Sequence, residues 1–189
     1  MPSLLPVFLD LNGAIVLVSG DGPASSSFTK RVEALGASVR KANGSADLAG
    51  ALMFAAGSAD AAADAVLMDA ARERGLLVIE LHAPKDARAF VGESSGDGHV
   101  QVAATTCGGS AEFERRLAAE AGKTLRPEHQ RFAEILRSVR GKLEERFPDD
   151  ALRASIWQQI IDSPVMVLLE SGAEDEALEM AERMAWGTG

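Results

Sequence analysis

The sequence predicts an α/β protein in which a Rossmann-like parallel sheet precedes a C-terminal helical part. Three observations lead to this fold class. Short apolar runs rich in β-branched residues recur over roughly the first 80 residues, as expected of strands buried on both faces of a parallel sheet. Segments with helical spacing of apolar residues alternate with these runs. From residue 127 onward, the apolar spacing is that of helices.

The first predicted strand is the continuous apolar run 14–19, with the sequence AIVLVS. A polar stretch rich in glycine and serine follows it. Phe28, Val32 and Leu35 then recur at helical spacing, and Gly36 is typical of a helix end. Together these features predict the strand, turn and helix that open a doubly wound unit.

The alternation continues along the chain. Strands are predicted at 37–42, 52–55 and 76–81, with an alanine-rich helix at 59–74 between the last two. Residues 92–99 are expected to form a loop and 100–105 a strand.

Helices are predicted for the rest of the chain. Ser110 can cap the first of them, and Pro127 suits the first position of the next. Asp149 or Asp150 can cap a further helix. The predicted core-facing stripe of the helix at Pro127 consists of Phe132, Ile135, Leu136, Val139 and Leu143.

Composition and charge exclude several classes of protein. The net charge is −9, whereas a nucleic-acid binder or a membrane-surface binder needs a basic face. The single cysteine, Cys107, cannot form an internal disulfide. No apolar run approaches the roughly 20 residues of a membrane span, and the N-terminus lacks the basic region of a signal peptide. We therefore expect a cytoplasmic protein that binds neither membrane nor nucleic acid.

The segment Gly20-Asp21-Gly22-Pro23-Ala24-Ser25 fits the glycine-rich pattern that binds the pyrophosphate of a dinucleotide at a helix N-terminus. The alternative is a purely structural turn. Asp21 places a carboxylate where a pyrophosphate would lie. After the second strand, where an acidic residue normally holds the ribose, the chain offers Arg40, Lys41 and Asn43.

The order of these segments resembles the siroheme synthase N-terminal module, the bifunctional precorrin-2 dehydrogenase and sirohydrochlorin ferrochelatase. The opening PVFLDLNGAIVLVSGDGPASSSFTKRVEALGASV is similar to the family's P-x-F-x-x-L-x-G, strand, G-G-G-x-V-A, helix and L-L-x-A-G-A. The resemblance continues through AAGSAD, IELHAPK, VAATTCGGSAEFERRLAAE, RFAEILRSVRGKLEERF and LRASIW, and so covers nearly the whole chain.

The resemblance implies a homodimer that acts on a tetrapyrrole. It implies an NAD-binding type of Rossmann-like domain at 1–82, a dimerisation segment at 83–126 and a C-terminal helical domain at 127–189. In that family, NAD oxidises precorrin-2 to sirohydrochlorin, and ferrous iron is then inserted. For this protein we expect a divalent metal such as iron or cobalt as the substrate. About 20 residues of the family pattern are missing between the second and third strands, which shortens the sheet on the adenine side of the cofactor.

The resemblance also implies which residues form the site. His82 stands where the family has an aspartate that serves both reactions. Gly20, Asp21, Gly22 and Pro23 stand in the cofactor turn, and Ser58 replaces a threonine near the nicotinamide.

The replacement of aspartate by His82 leaves three interpretations. An imidazole exchanges protons near neutral pH and is a good ligand for iron or cobalt, so His82 is predicted as catalytic base and as metal ligand. The alternative is a histidine that caps the strand end and has no chemical role. His99 and His129 are expected to be solvated, the alternative being that they gather at a dimer interface.

Cys107, Gly108 and Gly109 are predicted to bind the substrate. The backbone amides of the glycines suit a propionate or acetate arm of a tetrapyrrole. For Cys107, the alternatives are a thiolate near a helix N-terminus and a small residue buried in a tight turn, of which we favour the second.

We expect metal insertion to be retained rather than NAD-dependent oxidation, because insertion needs a base and a metal but no nicotinamide. The alternative is a non-catalytic dimer that binds a tetrapyrrole, a metal or a partner protein. A third hypothesis, an NAD(P) oxidoreductase with an unrelated substrate, needs the same missing part of the sheet.

Overall fold

The computed structural model describes residues 4–82, 87–96 and 98–186, and its contacts divide the chain into two packed units. The first unit comprises Met1–Gly92 and Thr105–Ser110, and the second comprises Glu93–Ala104 and Ala111–Gly189. The functional boundaries at residues 82 and 126 stay predictions, since packing alone does not test them. Ala83–Lys85, the end of the IELHAPK segment, lies outside the described residues.

The first unit is a four-stranded parallel sheet with helices, as the sequence predicts. Its strand order is β2-β1-β3-β4, and all three pairings are parallel. Its elements in chain order are β1 (Ile15–Val18), α1 (Pro23–Ala34), β2 (Ser38–Lys41), a 3-10 helix (Ser45–Leu48), β3 (Met53–Ala56), α2 (Ala61–Glu73) and β4 (Leu77–Glu80).

Strand β1 is buried on both faces, which explains its uninterrupted apolar sequence. Val16 and Val18 pack on one face with Phe28 and Val32 of α1. Leu17 points to the opposite face, where it joins a second cluster. The other members of that second cluster are Ala42, Leu48, Phe54, Ala56, Leu67 and Ala71. Each large apolar side chain buried in this way contributes about 1.5–3 kcal/mol.

Strand β2 is the edge of this sheet. Residues 42–52 lead from β2 to β3 through the 3-10 helix. The chain runs from β1 to β2 on one side and then crosses to β3 on the other side of β1. The carboxyl ends of β1 and β3 therefore flank the switch point, which is where α/β sheets bind their ligands.

The second unit begins with a two-stranded antiparallel sheet, β5 (Glu93–Ser95) and β6 (Val102–Ala104). The prediction of a loop over 92–99 is wrong for the three residues of β5. Its sequence, ESS, has no apolar alternation, and it is a strand because Ser94 pairs with Ala103 across the sheet. Helix α3 (Ala111–Gly122) packs on this sheet, with Gly122 in close contact with Ser95.

Four further helices form the helical core of the second unit. They are α4 (Pro127–Arg146), α5 (Asp150–Asp162), α6 (Val165–Glu170) and α7 (Glu174–Trp186). Ile135, Val139 and Leu143 of the predicted stripe are buried, with Phe132 and Leu136 packed beside them. Of the two candidate caps, Asp149 caps α5 by accepting the Leu152 N–H at 2.7 Å.

Charge pairs link the surfaces of these helices. On α4, a hydrogen bond from Arg131 to Glu134, together with the nearby charges of Glu174 and Glu134, raises the pKa of Arg131 above its ordinary value. Arg131 is a cation in either case, so this shift changes no charge at neutral pH. Within the described part of the chain, no helix combines the length and the apolarity needed to cross a bilayer.

Candidate functional site at the carboxyl edge of the sheet

The turn after β1 lies directly against the turn after β3. Gly20 has a φ of +71°, and a Cβ atom placed on it would lie 2.5 Å from both the Gly57 oxygen and the Ser58 Cα. Only glycine combines this backbone angle with so close an approach. The structure thus brings together Gly20 and Ser58, which the sequence analysis assigned separately to a cofactor site.

The N-terminus of α1 faces the same edge. Gly22 is its N-cap and has no side chain to bond the helix amides, while Pro23 at the first position has no N–H. Asp21, whose side chain is 90% exposed, forms an ion pair with Lys41 at the end of β2. The Lys41 Nζ also donates to the Gly20 carbonyl at 2.5 Å. Lys41 therefore holds the turn and neutralises its carboxylate.

These features oppose the usual placement of NAD. The Asp21 carboxylate occupies the glycine-rich turn, and Lys41 replaces the acidic residue that would receive the ribose hydroxyls. The sheet ends at β2 on this side. The residues therefore fit a dinucleotide poorly.

A buried polar network holds the turn after β3. Asp64, in the first turn of α2, is only 6% exposed. Its Oδ1 accepts the Ser19 hydroxyl at 2.6 Å, and its Oδ2 accepts the Ser58 N–H at 2.9 Å. The Ser19 oxygen in turn accepts the Gly57 N–H at 3.0 Å, and the Ser25 hydroxyl lies 3.0 Å from the Gly57 oxygen.

His82 follows β4 on the same edge. Its Nε2 lies 2.8 Å from the Gly57 carbonyl oxygen. A carbonyl oxygen only accepts, so Nε2 carries the proton and donates. In the neutral ring, Nδ1 then carries the lone pair, and it is the atom that can take a proton or bind a metal.

Within the part of the chain that the structure describes, His82 is the histidine at this edge of the sheet that could bind a metal. Among the described residues, no three His, Cys, Asp or Glu side chains lie close enough together to hold a metal ion. A metal at His82 would therefore need ligands other than these side chains.

The Cys107-Gly108-Gly109 turn belongs to the same packed unit as His82. Cys107 has a φ of +59° and is half-buried, and its N–H donates to the Thr105 Oγ1 at 3.1 Å. The Gly109 N–H donates to the Thr106 oxygen at 3.2 Å. Of the two glycine amides predicted to bind a substrate carboxylate, Gly109 is thus already engaged, and Gly108 is the one that can donate to a ligand.

The other two histidines, His99 and His129, belong to the second unit. His129 caps α4, since its Nδ1 accepts the Arg126 N–H at 3.0 Å. The His99 Nδ1 lies 3.1 Å from an Arg137 nitrogen, which can only donate. Both rings have local structural partners.

Asp64 and Lys41 are the site residues whose roles the sequence analysis missed. Asp64 carried a usable signal, because it shares a helix face with the buried Leu67 and Ala71. A carboxylate in an otherwise apolar stripe indicates a buried polar contact. Lys41 had no such signal, since a lysine at a strand end is most often solvated.

Known proteins resemble this chain in sequence and in fold. A family described as "Sirohaem synthase dimerisation region" matches residues 129–184. A siroheme synthase of Thioalkalivibrio sulfidiphilus is 33% identical over 84 residues, which are 44% of this chain and 17% of that protein. The structure of "SirC, precorrin-2 dehydrogenase" shares the fold, with a TM-score of 0.62 and 18% identity over 95% of this chain and 100% of that one.

The extent of each match limits what it shows. This chain spans less than a fifth of the length of the siroheme synthase relative, so the activity of that whole protein does not transfer with the match. The structural likeness shows the fold alone. The chain is thus similar in sequence to a siroheme synthase over 44% of its length, carries a match to a sirohaem synthase dimerisation region at residues 129–184, and shares the fold of SirC.

Proposed function

We propose that this protein inserts a divalent metal, iron or cobalt, into a tetrapyrrole of siroheme biosynthesis, with His82 as the proton acceptor. The observation that carries the proposal is the hydrogen bond from the His82 Nε2 to the Gly57 carbonyl, which leaves Nδ1 as the basic atom at the ligand-binding edge of the sheet. The sequence similarity to a siroheme synthase supports the tetrapyrrole as substrate.

The chemistry needs only a base and a held substrate. A divalent ion entering sirohydrochlorin displaces two pyrrole N–H protons, and the four nitrogens then bind the metal. The His82 Nδ1 takes one proton, releases it to water and takes the second in the same way. The ring must be neutral to do so. The Gly108 N–H is the group we assign to a carboxylate arm of the substrate.

The test compares three variants of His82 and a control. We expect His82→Ala to lower the rate of cobalt insertion into sirohydrochlorin about 100-fold, the usual contribution of a general base. We expect His82→Asp to keep the rate within about tenfold, because a carboxylate accepts a proton from the same position. His82→Gln, which can donate to Gly57 but accepts no proton, should behave like His82→Ala. His99→Ala, in the second unit, is the matched control and should not change the rate.

Absorbance of the tetrapyrrole measures all four rates. A full rate for His82→Ala would exclude His82 as the base. A stable coloured complex without metal insertion in the unmodified protein would instead favour the non-catalytic binding dimer.

NAD-dependent oxidation is the second candidate function. The poor fit of the Gly20–Pro23 turn to a dinucleotide argues against it. We expect calorimetric titration with NAD to give no binding at millimolar concentration. Asp21→Gly, which removes the carboxylate from the turn, should not by itself restore binding, because Lys41 and the shortened sheet remain. Binding of NAD by the unmodified protein would contradict this expectation.

A further inference from the structure

The buried carboxylate of Asp64 has no direct contact with His82 in the structure, yet one peptide group connects them. The Gly57 carbonyl accepts the His82 Nε2–H at 2.8 Å. The Ser58 N–H, which donates to the Asp64 Oδ2 at 2.9 Å, belongs to the same peptide unit. Because a peptide unit is planar, fixing its N–H direction also fixes the direction of its carbonyl.

We propose that Asp64 is a positioning residue that orients the Gly57–Ser58 peptide and thereby keeps the His82 proton on Nε2. This inference rests on the proposed function for its catalytic consequence, but the geometry of the ring does not depend on that function. Asp64 acts through the peptide and touches no substrate.

Asp64 holds the peptide from two directions. Its Oδ2 binds the Ser58 N–H directly. Its Oδ1 binds the Ser19 hydroxyl, whose oxygen accepts the Gly57 N–H on the preceding peptide unit. The Asp64 and Ser19 side chains are both buried, so water does not compete for these bonds. A charged acceptor at the N–H end also polarises the peptide and strengthens its carbonyl as an acceptor.

The ring of His82 depends on this carbonyl. Within the described part of the chain, the Gly57 oxygen is its hydrogen-bond partner, and the histidine is otherwise exposed at a strand end. Among the described residues, the Gly57 carbonyl alone determines which nitrogen carries the proton. If the peptide rotates, Nε2 loses its acceptor. The proton can then move to Nδ1, the nitrogen that must stay unprotonated for the insertion reaction.

The test is a nitrogen-15 NMR measurement of the histidine rings in Asp64→Asn, with His82→Ala used to assign the signal. An asparagine has one oxygen and one NH₂ group, so it cannot accept from both Ser19 and Ser58. We expect the solvent exchange of the His82 Nε2 proton to accelerate about tenfold, as the loss of one buried hydrogen bond implies, and the share of the Nδ1–H tautomer to rise.

Asp60→Ala is the matched control. Asp60 caps the same helix by accepting the Ala62 and Ala63 amides at 3.0 Å, so its loss weakens α2 without removing a bond to the Gly57–Ser58 peptide. Its His82 signal should match that of the unmodified protein. If Asp64→Asn does not fold, Ser19→Ala breaks the second arm of the network and should accelerate exchange in the same direction.

The rate of cobalt insertion is measured in parallel. We expect Asp64→Asn to insert more slowly than Asp60→Ala. Unchanged exchange and tautomer in Asp64→Asn would overturn the positioning role, whatever the rates. A changed ring signal in a protein that never inserts metal would support the positioning role and reject the proposed function instead.

Discussion

Backbone atoms, more than side chains, make up the edge of the sheet where His82 lies. The Gly57 carbonyl orients His82, and the Gly20 carbonyl binds Lys41. The residues at these positions are small because the turns after β1 and β3 touch. A Cβ on Gly57 would overlap the Ser25 hydroxyl, just as one on Gly20 would overlap the Gly57 oxygen. At this scale the sequence showed the glycines but not the contact that requires them.

The contact between the two turns can be tested with a pair of glycines two positions apart. We expect Gly20→Ala to lower the free energy of unfolding by about 3 kcal/mol, from the positive φ and from overlap with the Gly57 oxygen. Gly22→Ala should cost less than about 1 kcal/mol, since its φ is −66° and a Cβ there meets no atom within 4 Å.

Urea unfolding followed by far-ultraviolet circular dichroism measures both variants. Equal stabilities for the two would show that the turns do not touch as described. Cobalt insertion by Gly20→Ala should also fall, because a displaced Gly57 carbonyl no longer orients the ring of His82.

The elements of the first unit could be predicted because each had a strong local signal. β1 and β3 are uninterrupted apolar runs, and burial on both faces of the sheet explains why no polar residue interrupts them. The end of α1 was marked as well, by Gly36, which follows the helix with a φ of +85°. Local chemistry alone was enough for these segments.

Other features of the fold depend on partners distant in the sequence, which no local pattern reveals. β5 is a strand only because β6 pairs with it, and its three polar residues carry no local pattern that predicts a strand. The candidate functional site also depends on contacts between residues distant in the sequence. Its position after the strands was predictable, whereas the bonds of Asp64 and Lys41 link residues 6 to 45 positions apart and appear only in the folded chain.

At the scale of the whole molecule, the remaining question is how two copies meet. The family match to a sirohaem synthase dimerisation region covers residues 129–184, which lie in α4 to α7 and follow the segment 83–126 that the sequence analysis expected to dimerise. Several apolar side chains of this region are exposed in the single chain, including Leu152, Ile161 and Val167. Exposed apolar groups within such a region indicate a protein–protein interface. We therefore propose that the protein is a homodimer in which exposed apolar side chains of this region, Val167 among them, are covered by the second copy.

The prediction compares two valines of nearly equal exposure. Val167 lies in α6, inside the matched region, and is 63% exposed, while Val66 lies in α2, outside it, and is 67% exposed. We expect the unmodified protein to show twice the 19.8 kDa chain mass in light scattering. Val167→Asp should shift the mass toward the monomer, because burying an unpaired charge at an interface is strongly unfavourable. Val66→Asp should remain dimeric.

A third variant tests whether the exposed apolar residues of the N-terminal segment, rather than those of α6, form the interface. Phe8, in the first unit, is 61% exposed beside the exposed Leu5 and Val7. If Phe8→Asp dissociates the dimer and Val167→Asp does not, the interface lies at the N-terminal segment, and the assignment of dimerisation to α6 is wrong. If only Val167→Asp dissociates it, cobalt insertion by that monomer then decides whether the site at His82 needs the second copy.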